Sequence, residues 1–534
     1  MTETRPILIA GAGPTGMTAA LELARFGVPV RLVERRAGPA ATSRAIGVQA
    51  RTLELFEQRR LVEAMLAVGN PARGMNIHGG GRPRMRIDFG HILSRYPYIL
   101  IISQAETERI LREELARRGV AIEWGVELIA LAQAEGHDAH GAGGRVGTTL
   151  RHPGGVMEEV DAAYLIAAEG AHSLARSTLG LPFEGHAFED GYALGDFTLD
   201  GDLPDDEMQV FSAETGFMAL FPFGRKQFRL IVSNSPGPAA PGAEPPLAEL
   251  QGIWDERSEV PARLRDLTWS SYFRINSRMV AGLHRGRVFF GGDSAHIHSP
   301  AGGQGMNTGI QDMINLGWKL ALAYGGRGSP DLLATYDEDR LPVIRAVLKR
   351  TEALTDAIGI ENAWFRAAFN HVAPLVVGTG FVQDKATATI SQVAFDYRAG
   401  SLATTNGHHG HLRPGDRLPD LAATVLGPDH PVAPQRLFEL LAPERFTLLL
   451  TSGPDPAGWR VRVEAVVAPW ADLIRVIPVG PTDNPEDHHG FVAALGDRPV
   501  LVLVRPDSYV GFLGDESAAA GLVEYLRRWL PRNP

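Results

Sequence analysis

Residues 7–34 read ILIAGAGPTGMTAALELARFGVPVRLVE, and an order of strand, turn, helix and strand can be taken from them directly. Ile7 to Ala10 is a short apolar run that ends on glycine, the pattern of a strand buried on both faces of a parallel sheet. Gly11-Ala12-Gly13-Pro14-Thr15-Gly16 forms the turn. Met17 to Phe26 is predicted helical and stops at Gly27. Val28 to Val33 supplies the second strand, and Glu34 ends it. A G-x-G-x-x-G turn in this βαβ setting suits a pyrophosphate. Gly11 permits the tight turn, Gly13 lets the backbone approach the phosphates, and Gly16 allows close helix–sheet packing. The helix N-terminus adds free N–H groups and a dipole worth ~0.3–1 kcal/mol per nearby anion. A carboxylate at Glu34 can accept hydrogen bonds from ribose hydroxyls. The motif alone does not separate one dinucleotide from another.

Composition narrows the classes. A chain of 534 residues suggests roughly two to four domains. Its 44% hydrophobic and 21% charged residues are ordinary for a globular protein with a large core. A net charge of -10 with no long basic run argues against nucleic-acid binding, which depends on phosphate neutralisation. Cysteine is absent, so disulfides, thiolate metal sites and a cysteine nucleophile are excluded. No signal peptide is read at the N-terminus, and no apolar stretch reaches the ~20 residues of a membrane span. A cytoplasmic location fits these features.

Further elements follow along the chain. Thr107 to Arg118 reads as an amphipathic helix, and Ala163 to Ala168 as an apolar strand. From Phe183 to Arg285 the texture turns β-rich, with strands at Phe217 to Phe221 and Phe228 to Val232 and a Pro/Gly-rich loop from Pro236 to Pro246. Val288 to Gly292 returns to strand and glycine. Helices are predicted at Gln311 to Tyr324 and Leu341 to Thr355. A hinge of polar and glycine character runs from Asp396 to Pro419. Strands at Phe446 to Thr451, Leu473 to Val479 and Val500 to Val504, with a helix at Ala518 to Leu530, form a separate C-terminal unit.

The second glycine-rich segment is the more specific. Gly291-Gly292-Asp293-Ser294-Ala295-His296 follows the strand Val288 to Phe290. Pro300, Gly302, Gly303, Gln304, Gly305, Met306, Asn307 and Gly309 come next. With Gly11 to Gly16 and the segment Ala168-Glu169-Gly170-Ala171-His172-Ser173, these residues make the chain resemble the FAD-dependent aromatic hydroxylases, the single-component flavoprotein monooxygenases that include phenol hydroxylase and the polyketide hydroxylases. The resemblance covers residues 5 to 360 and extends to the end through a thioredoxin-like tail.

That resemblance implies an α/β fold in three parts. Residues 1–182 and 286–395 would form a Rossmann-type FAD-binding domain. Residues 183–285 would form a β-rich substrate-binding domain, and 396–534 a thioredoxin-like α/β domain that lacks cysteines and is structural or dimer-related. The cofactor contacts it implies are Gly11, Gly13, Pro14, Thr15, Gly16, Glu34, Arg35, Arg44, Gln104, Gly292, Asp293, Pro300, Gly303, Gly305, Met306 and Asn307. The chemistry it implies is reduction of FAD by NADH or NADPH, capture of molecular oxygen as a flavin C4a-hydroperoxide, and hydroxylation of an activated phenolic or polycyclic ring. Baeyer–Villiger oxygenation is the alternative on the same flavin, and a non-catalytic flavin-fold binding protein is the rival from another class. Two departures stand out. Glu169 occupies a position where the family has Asp, which bears on nicotinamide handling, and His172 replaces a frequent Arg.

A substrate pocket is expected between the flavin domain and the β-rich segment, with Gln209, Phe211, Phe217, Met218, Phe221 and Tyr272 as candidate lining. Strand alternation would aim only half of them inward. No catalytic base is identifiable. His408, His409 and His411 read as a solvated linker rather than a metal site, for want of carboxylate or thiolate partners. His296 reads as a packed histidine, Trp318, Leu320 and Leu322 as core, and Arg225-Lys226 as a solvated turn.

Overall fold

The computed structural model describes residues 5–40, 45–79, 82–133, 144–213, 215–235, 237, 243–258, 260–298, 303–359, 380–407, 410–426, 434–451 and 456–531. Three sheets organise it. The first has six strands in the order His284–Arg285, Val288–Phe290, Tyr164–Ala167, Ile7–Ala10, Val30–Glu34 and Ile122–Trp124. All neighbours except the His284–Arg285 edge pair are parallel. Ile7, Leu8 and Ile9 are each 0% exposed, as expected of a strand covered on both faces. This is the doubly wound dinucleotide-binding sheet.

The helix after the first strand is Pro14–Arg25, so it begins inside the glycine motif rather than at Met17. Proline at the first position has no N–H to lose and a φ already suited to the helix. The helix Gly305–Tyr324 likewise begins within the second glycine run, earlier than the Gln311 expected from side-chain pattern alone. Trp318, Leu320 and Leu322 are buried core, and Arg225 and Lys226 form an exposed turn with φ of 54° and 62°.

The second sheet has eight strands and is larger than the expected β-rich segment. Its order is His296–Ile297, Ala262–Met279, Glu184–Gly201, Gln227–Ser233, Gly216–Gly224, Glu207–Ala213, Gly74–Gly79 and Arg82–Asp88. Two central strands run 18 residues each, bent by register shifts at Ala187/Gly191 and Asp196/Thr198. One face is covered by a helix, Leu247–Arg257, which the Pro/Gly-rich stretch before it conceals in the sequence. Trp254 and Leu250 lead that packing against Phe211, Met218, Leu220 and Phe228. The other face carries Phe221 and Phe223 against the core of the first sheet.

The third sheet has seven strands, with Val510–Asp515, Val500–Val504, Phe446–Thr451 and Ile474–Gly480 at its centre. Phe446–Thr451 is parallel to Ile474–Gly480 and antiparallel to Val500–Val504, which is antiparallel to Val510–Asp515. With the helices Pro456–Val467, Pro485–Leu495 and Ala519–Trp529, this is the βαβαββα path of a thioredoxin-type fold. The expected hinge is not loose. Tyr397 is 4% exposed and stacks on Tyr509 with ring centroids 4.0 Å apart, and Thr404–Asn406 joins the third sheet beside Val510–Asp515. No described helix is long and apolar enough to cross a membrane.

Candidate active site

The three motifs converge at the carboxyl ends of three adjacent strands. Ile7–Ala10 runs into Gly11, Tyr164–Ala167 into Glu169-Gly170, and Val288–Phe290 into Gly291-Gly292. In an open parallel sheet that is where ligands bind. The packing is tight enough to require glycine. A Cβ on Gly16 would lie 1.8 Å from the Gly11 carbonyl oxygen. Thr15 joins the first motif to the last: a Cβ on Gly292 would sit 2.4 Å from its Oγ1, and one on Gly309 2.5 Å from it. Thr15 is thus wedged between two glycines some three hundred residues further along.

Gly13 differs, with nothing among the described residues within 4 Å of where its Cβ would be. No described side chain caps the helix Pro14–Arg25. An open glycine beside an uncapped helix N-terminus fits a pyrophosphate. Glu34 is 6% exposed and accepts from the Ala12 N–H at 2.8 Å and from Arg36 Nε at 3.0 Å. Burial pushes its carboxyl up, but the hydrogen bonds from Arg36 and Ala12 outweigh that and hold it below the ordinary range. An ionised Glu34 still has lone pairs for ribose hydroxyls. The residue that steadies it is Arg36, whereas Arg35 points to solvent. Arg44 and Pro300 lie outside the described residues.

Around the second run, Asn307 acts through its side chain. Its Oδ1 accepts from the Gln49 N–H at 2.9 Å, and its Nδ2 donates to the carbonyls of Gly47 at 2.8 Å and Gly303 at 2.9 Å. Asn307 is 0% exposed, so it brackets two backbone segments together. Gln104 starts a neighbouring helix, its N–H on the Ala45 carbonyl at 3.2 Å and its Nε2 on Glu108 at 2.8 Å. Asp293 is exposed in the one-turn segment Gly292–Ser294. Met306 and Gly305 are half-buried at the helix start. In this cradle the partly exposed Gly303, Gly305 and Met306 and the exposed carboxylate of Asp293 suit the ribityl and ring portions of FAD.

Behind the cradle lies a buried charged relay. Asp312 accepts from the Gly292 N–H at 3.1 Å, from His296 Nε2 at 2.7 Å and from Arg340 Nε at 2.8 Å. Arg340 continues to the Tyr397 hydroxyl at 3.0 Å. His296 is thus a packed, partnered histidine. Glu169 is half-buried and helps Ser173 cap the helix Leu174–Thr178, accepting from Ser173 Oγ at 2.6 Å and from the N–H groups of Leu174 and Ala175. Burial pushes its carboxyl up, partly offset by those bonds.

The six candidate pocket residues divide between the faces of the second sheet. Phe211 and Met218 belong to the core beneath the helix Leu247–Arg257, and Phe211 meets Trp254 edge-on at 5.5 Å. Gln209 shares that face and bonds His78 at 2.8 Å. Tyr272 is there too, its hydroxyl donating to Glu249 at 2.5 Å and pushed up to about 12, chiefly by burial and then by Glu249. Only Phe217 and Phe221 lie on the opposite face, Phe221 against the core of the first sheet. With them stand residues the sequence reading passed over: Tyr192, Phe223, Trp269 and Phe273. Among them Arg229, 2% exposed, holds Asp196 through Nε at 2.6 Å and Nη2 at 2.7 Å, and its guanidinium lies 4.9 Å from the Trp269 ring. The signal was the odd-numbered alternation of Phe217, Phe221 and Phe223 in one strand. No described cluster of His, Asp and Glu suits a metal ion, and His411 is exposed.

Comparison with known proteins identifies the family. An FAD binding domain model matches residues 4–351, and an aromatic-ring hydroxylase C-terminal model matches residues 411–533. The chain is 34% identical to 6-methylpretetramide 4-monooxygenase of Streptomyces rimosus, over 98% of this chain and 93% of that protein. It is 30% identical to pentachlorophenol 4-monooxygenase of Sphingobium chlorophenolicum, over 94% and 93% respectively. An anhydrotetracycline hydroxylase from Streptomyces rimosus shares its fold at a TM-score of 0.79 with 29% identity, over 99% of this chain and all of that one. With three motifs meeting at adjacent strand ends and both family models matching in chain order, the chain belongs to the FAD-binding aromatic-ring hydroxylases and is a flavin-dependent monooxygenase.

Proposed function

We propose that this enzyme hydroxylates a planar, multi-ring phenolic substrate, with NADH or NADPH as transient electron donor and molecular oxygen as co-substrate. The observation that carries this reading is the aromatic face of the second sheet. Phe217, Phe221, Phe223, Trp269 and Phe273, the first and last of which pack on the buried Tyr192 ring, offer edges and faces to a flat apolar ligand. Relatives named as monooxygenases of 6-methylpretetramide, of anhydrotetracycline and of pentachlorophenol support the class.

FAD when bound supplies the electron-accepting and oxygen-activating chemistry. The protein's part is position and exclusion. Gly11 to Gly16 and Glu34 would hold the ADP half, with Pro14 and Thr15 at the helix start. Gly292, Asp293, Gly303, Gly305, Met306 and Asn307 would hold the other half, with Gln104 nearby. The aromatic wall keeps water away from the reacting ring, and a dry site limits wasteful breakdown of activated oxygen. Arg229, held by Asp196 beneath the rings, would brace the wall rather than charge the substrate. A substrate phenol becomes the better nucleophile when its proton is shared with a base. In this reading residues 1–182 with 286–395 bind flavin, 183–285 close over substrate, and 396–534 brace them.

A substrate screen that follows NAD(P)H oxidation, hydrogen peroxide release and product mass together tests the proposal. Coupled oxidation with one oxygen added to a ring carbon is the expected result. Oxygen inserted beside a carbonyl would replace it with Baeyer–Villiger chemistry, and peroxide release alone with every phenol tried would refute it.

A further inference from the structure

Two helices begin where the flavin cradle ends. One is Ala50–Gln58, entered from Gln49, and the other is Gly305–Tyr324. Asn307 ties their starts together through Gln49, Gly47 and Gly303. A second tie joins the same two helices, at the first turn of Ala50–Gln58 and midway along Gly305–Tyr324, and it comes from the thioredoxin-type tail. In the turn Arg505–Ser508, the Asp507 carbonyl and Ser508 Oγ accept from Arg51 Nη2 at 3.0 and 2.8 Å. The Asp507 carboxylate accepts from Asn315 Nδ2 at 3.0 Å and from Trp318 Nε1 at 3.3 Å. Arg505 clamps that carboxylate at 2.5 Å and reaches Asp339 at 2.7 Å, where Lys319 also ends.

These groups are sealed from water: Arg51, Lys319 and Ser508 are 0% exposed, and Asp339, Arg505 and Asp507 at most 2%. Ser508 holds φ at 63°, a conformation disfavoured for a residue with a Cβ. Buried ion pairs add little to stability over an apolar core of similar volume, and in some proteins they serve instead to specify one arrangement. A strained turn of buried charges that grips both cradle helices is therefore a means of setting their spacing.

We propose that the tail turn Arg505–Ser508 is a positioning element of the flavin site, acting with Asn307 to fix the separation of the two helices that frame the cofactor. This rests on the assignment of Gly303 to Asn307 to the flavin. The test is the rate of FAD release from full-length holoenzyme, read by flavin fluorescence, alongside the melting temperature. Asp507→Asn removes a charged hydrogen-bond acceptor and is expected to speed release by about 10-fold or more. Ser508→Gly keeps the backbone conformation, loses one bond to Arg51, and is expected to speed release by roughly 3- to 10-fold while the protein remains folded. Asn307→Ser should also speed release, and in combination with either tail variant its effect should fall short of the product of the two. Asp472→Asn cuts an exposed tail contact to Arg327 and should leave release unchanged. If Asn307→Ser releases FAD normally, the flavin assignment fails and the proposal with it. If Asn307→Ser speeds release but the tail variants lower only the melting temperature, or if their effects simply multiply with that of Asn307→Ser, the positioning role alone is refuted. An equal effect of Asp472→Asn also refutes it.

Discussion

Glu169 and Asp312 show how carboxylates near the cradle are committed to protein partners. Glu169 departs from the family pattern by one methylene, and its longer arm is occupied with Ser173 and the N–H groups of Leu174 and Ala175. Removal of this cap in Glu169→Ala is expected to cost about 1 kcal/mol, within the 0.5–2 kcal/mol typical of helix caps, measured by chemical unfolding. The nicotinamide affinity should move little. A large loss of affinity with unchanged stability would return Glu169 to the nicotinamide site. At Asp312, burial pushes the carboxyl up, but Arg340 and His296 outweigh it and hold it down at about 2. The unfolded chain takes up that proton near pH 4. The folded state is therefore favoured by this group above about pH 4, and the benefit fades as pH falls from there towards 2. Asp312→Asn leaves Arg340 unpaired in the core and is expected to cost about 3–5 kcal/mol at neutral pH. It should also make the acid limb of the unfolding midpoint shallower, though Asp339, likewise held at about 2, keeps part of the slope. An unaltered acid limb would contradict the assignment.

At the scale of elements, the two faces of one strand make opposite predictions. Phe221 and Met218 are three residues apart in Gly216–Gly224 and face opposite ways. Met218→Ala hollows the core beneath the helix Leu247–Arg257 and is expected to cost about 2–5 kcal/mol in stability with KM little changed. Phe221→Ala should raise KM or shift the site of oxygenation, with a smaller stability loss. Reversal of this pattern in steady-state kinetics and unfolding would show that the wrong face had been assigned to the pocket. The same strand explains what was legible in the sequence. The first βαβ unit was readable because its strand, glycines and acid lie within 28 consecutive residues. The convergence of Glu169-Gly170 and Gly292-Asp293 on it was readable only through family motifs. The pocket wall was half readable, since alternation sorts a strand into two sets but does not say which is covered. That depended on Leu247–Arg257, a helix hidden behind prolines and glycines. The antiparallel pair Gly74–Gly79 and Arg82–Asp88 joins the second sheet through the long-range pairing of Gly74–Gly79 with Glu207–Ala213, which no local pattern records.

For the whole molecule, the buried charges that cross between the third sheet and the flavin-binding helices should make unfolding a shared event. Arg51, Asn315 and Asp339 lie on one side of that boundary, Arg505 and Asp507 on the other. Calorimetry of the holoenzyme is expected to give one transition, and two well-separated ones would show that the tail unfolds independently.

The order of strands in the first sheet also constrains how the protein can be made. Val288–Phe290 pairs with Tyr164–Ala167, yet roughly 120 residues separate them, about 6–24 s of synthesis at ~5–20 residues per second. During that interval the emerging chain presents an apolar strand with one ladder edge unfilled, the kind of edge that recruits foreign strands. Thr15 waits longer still, for Gly292 and Gly309. Ribosome-bound chains arrested before residue 288 should therefore be cut readily by added protease within their first unit. Chains arrested only after the turn Arg505–Ser508 has left the ribosome should resist, and yield from rapid heterologous expression should rise when translation is slowed.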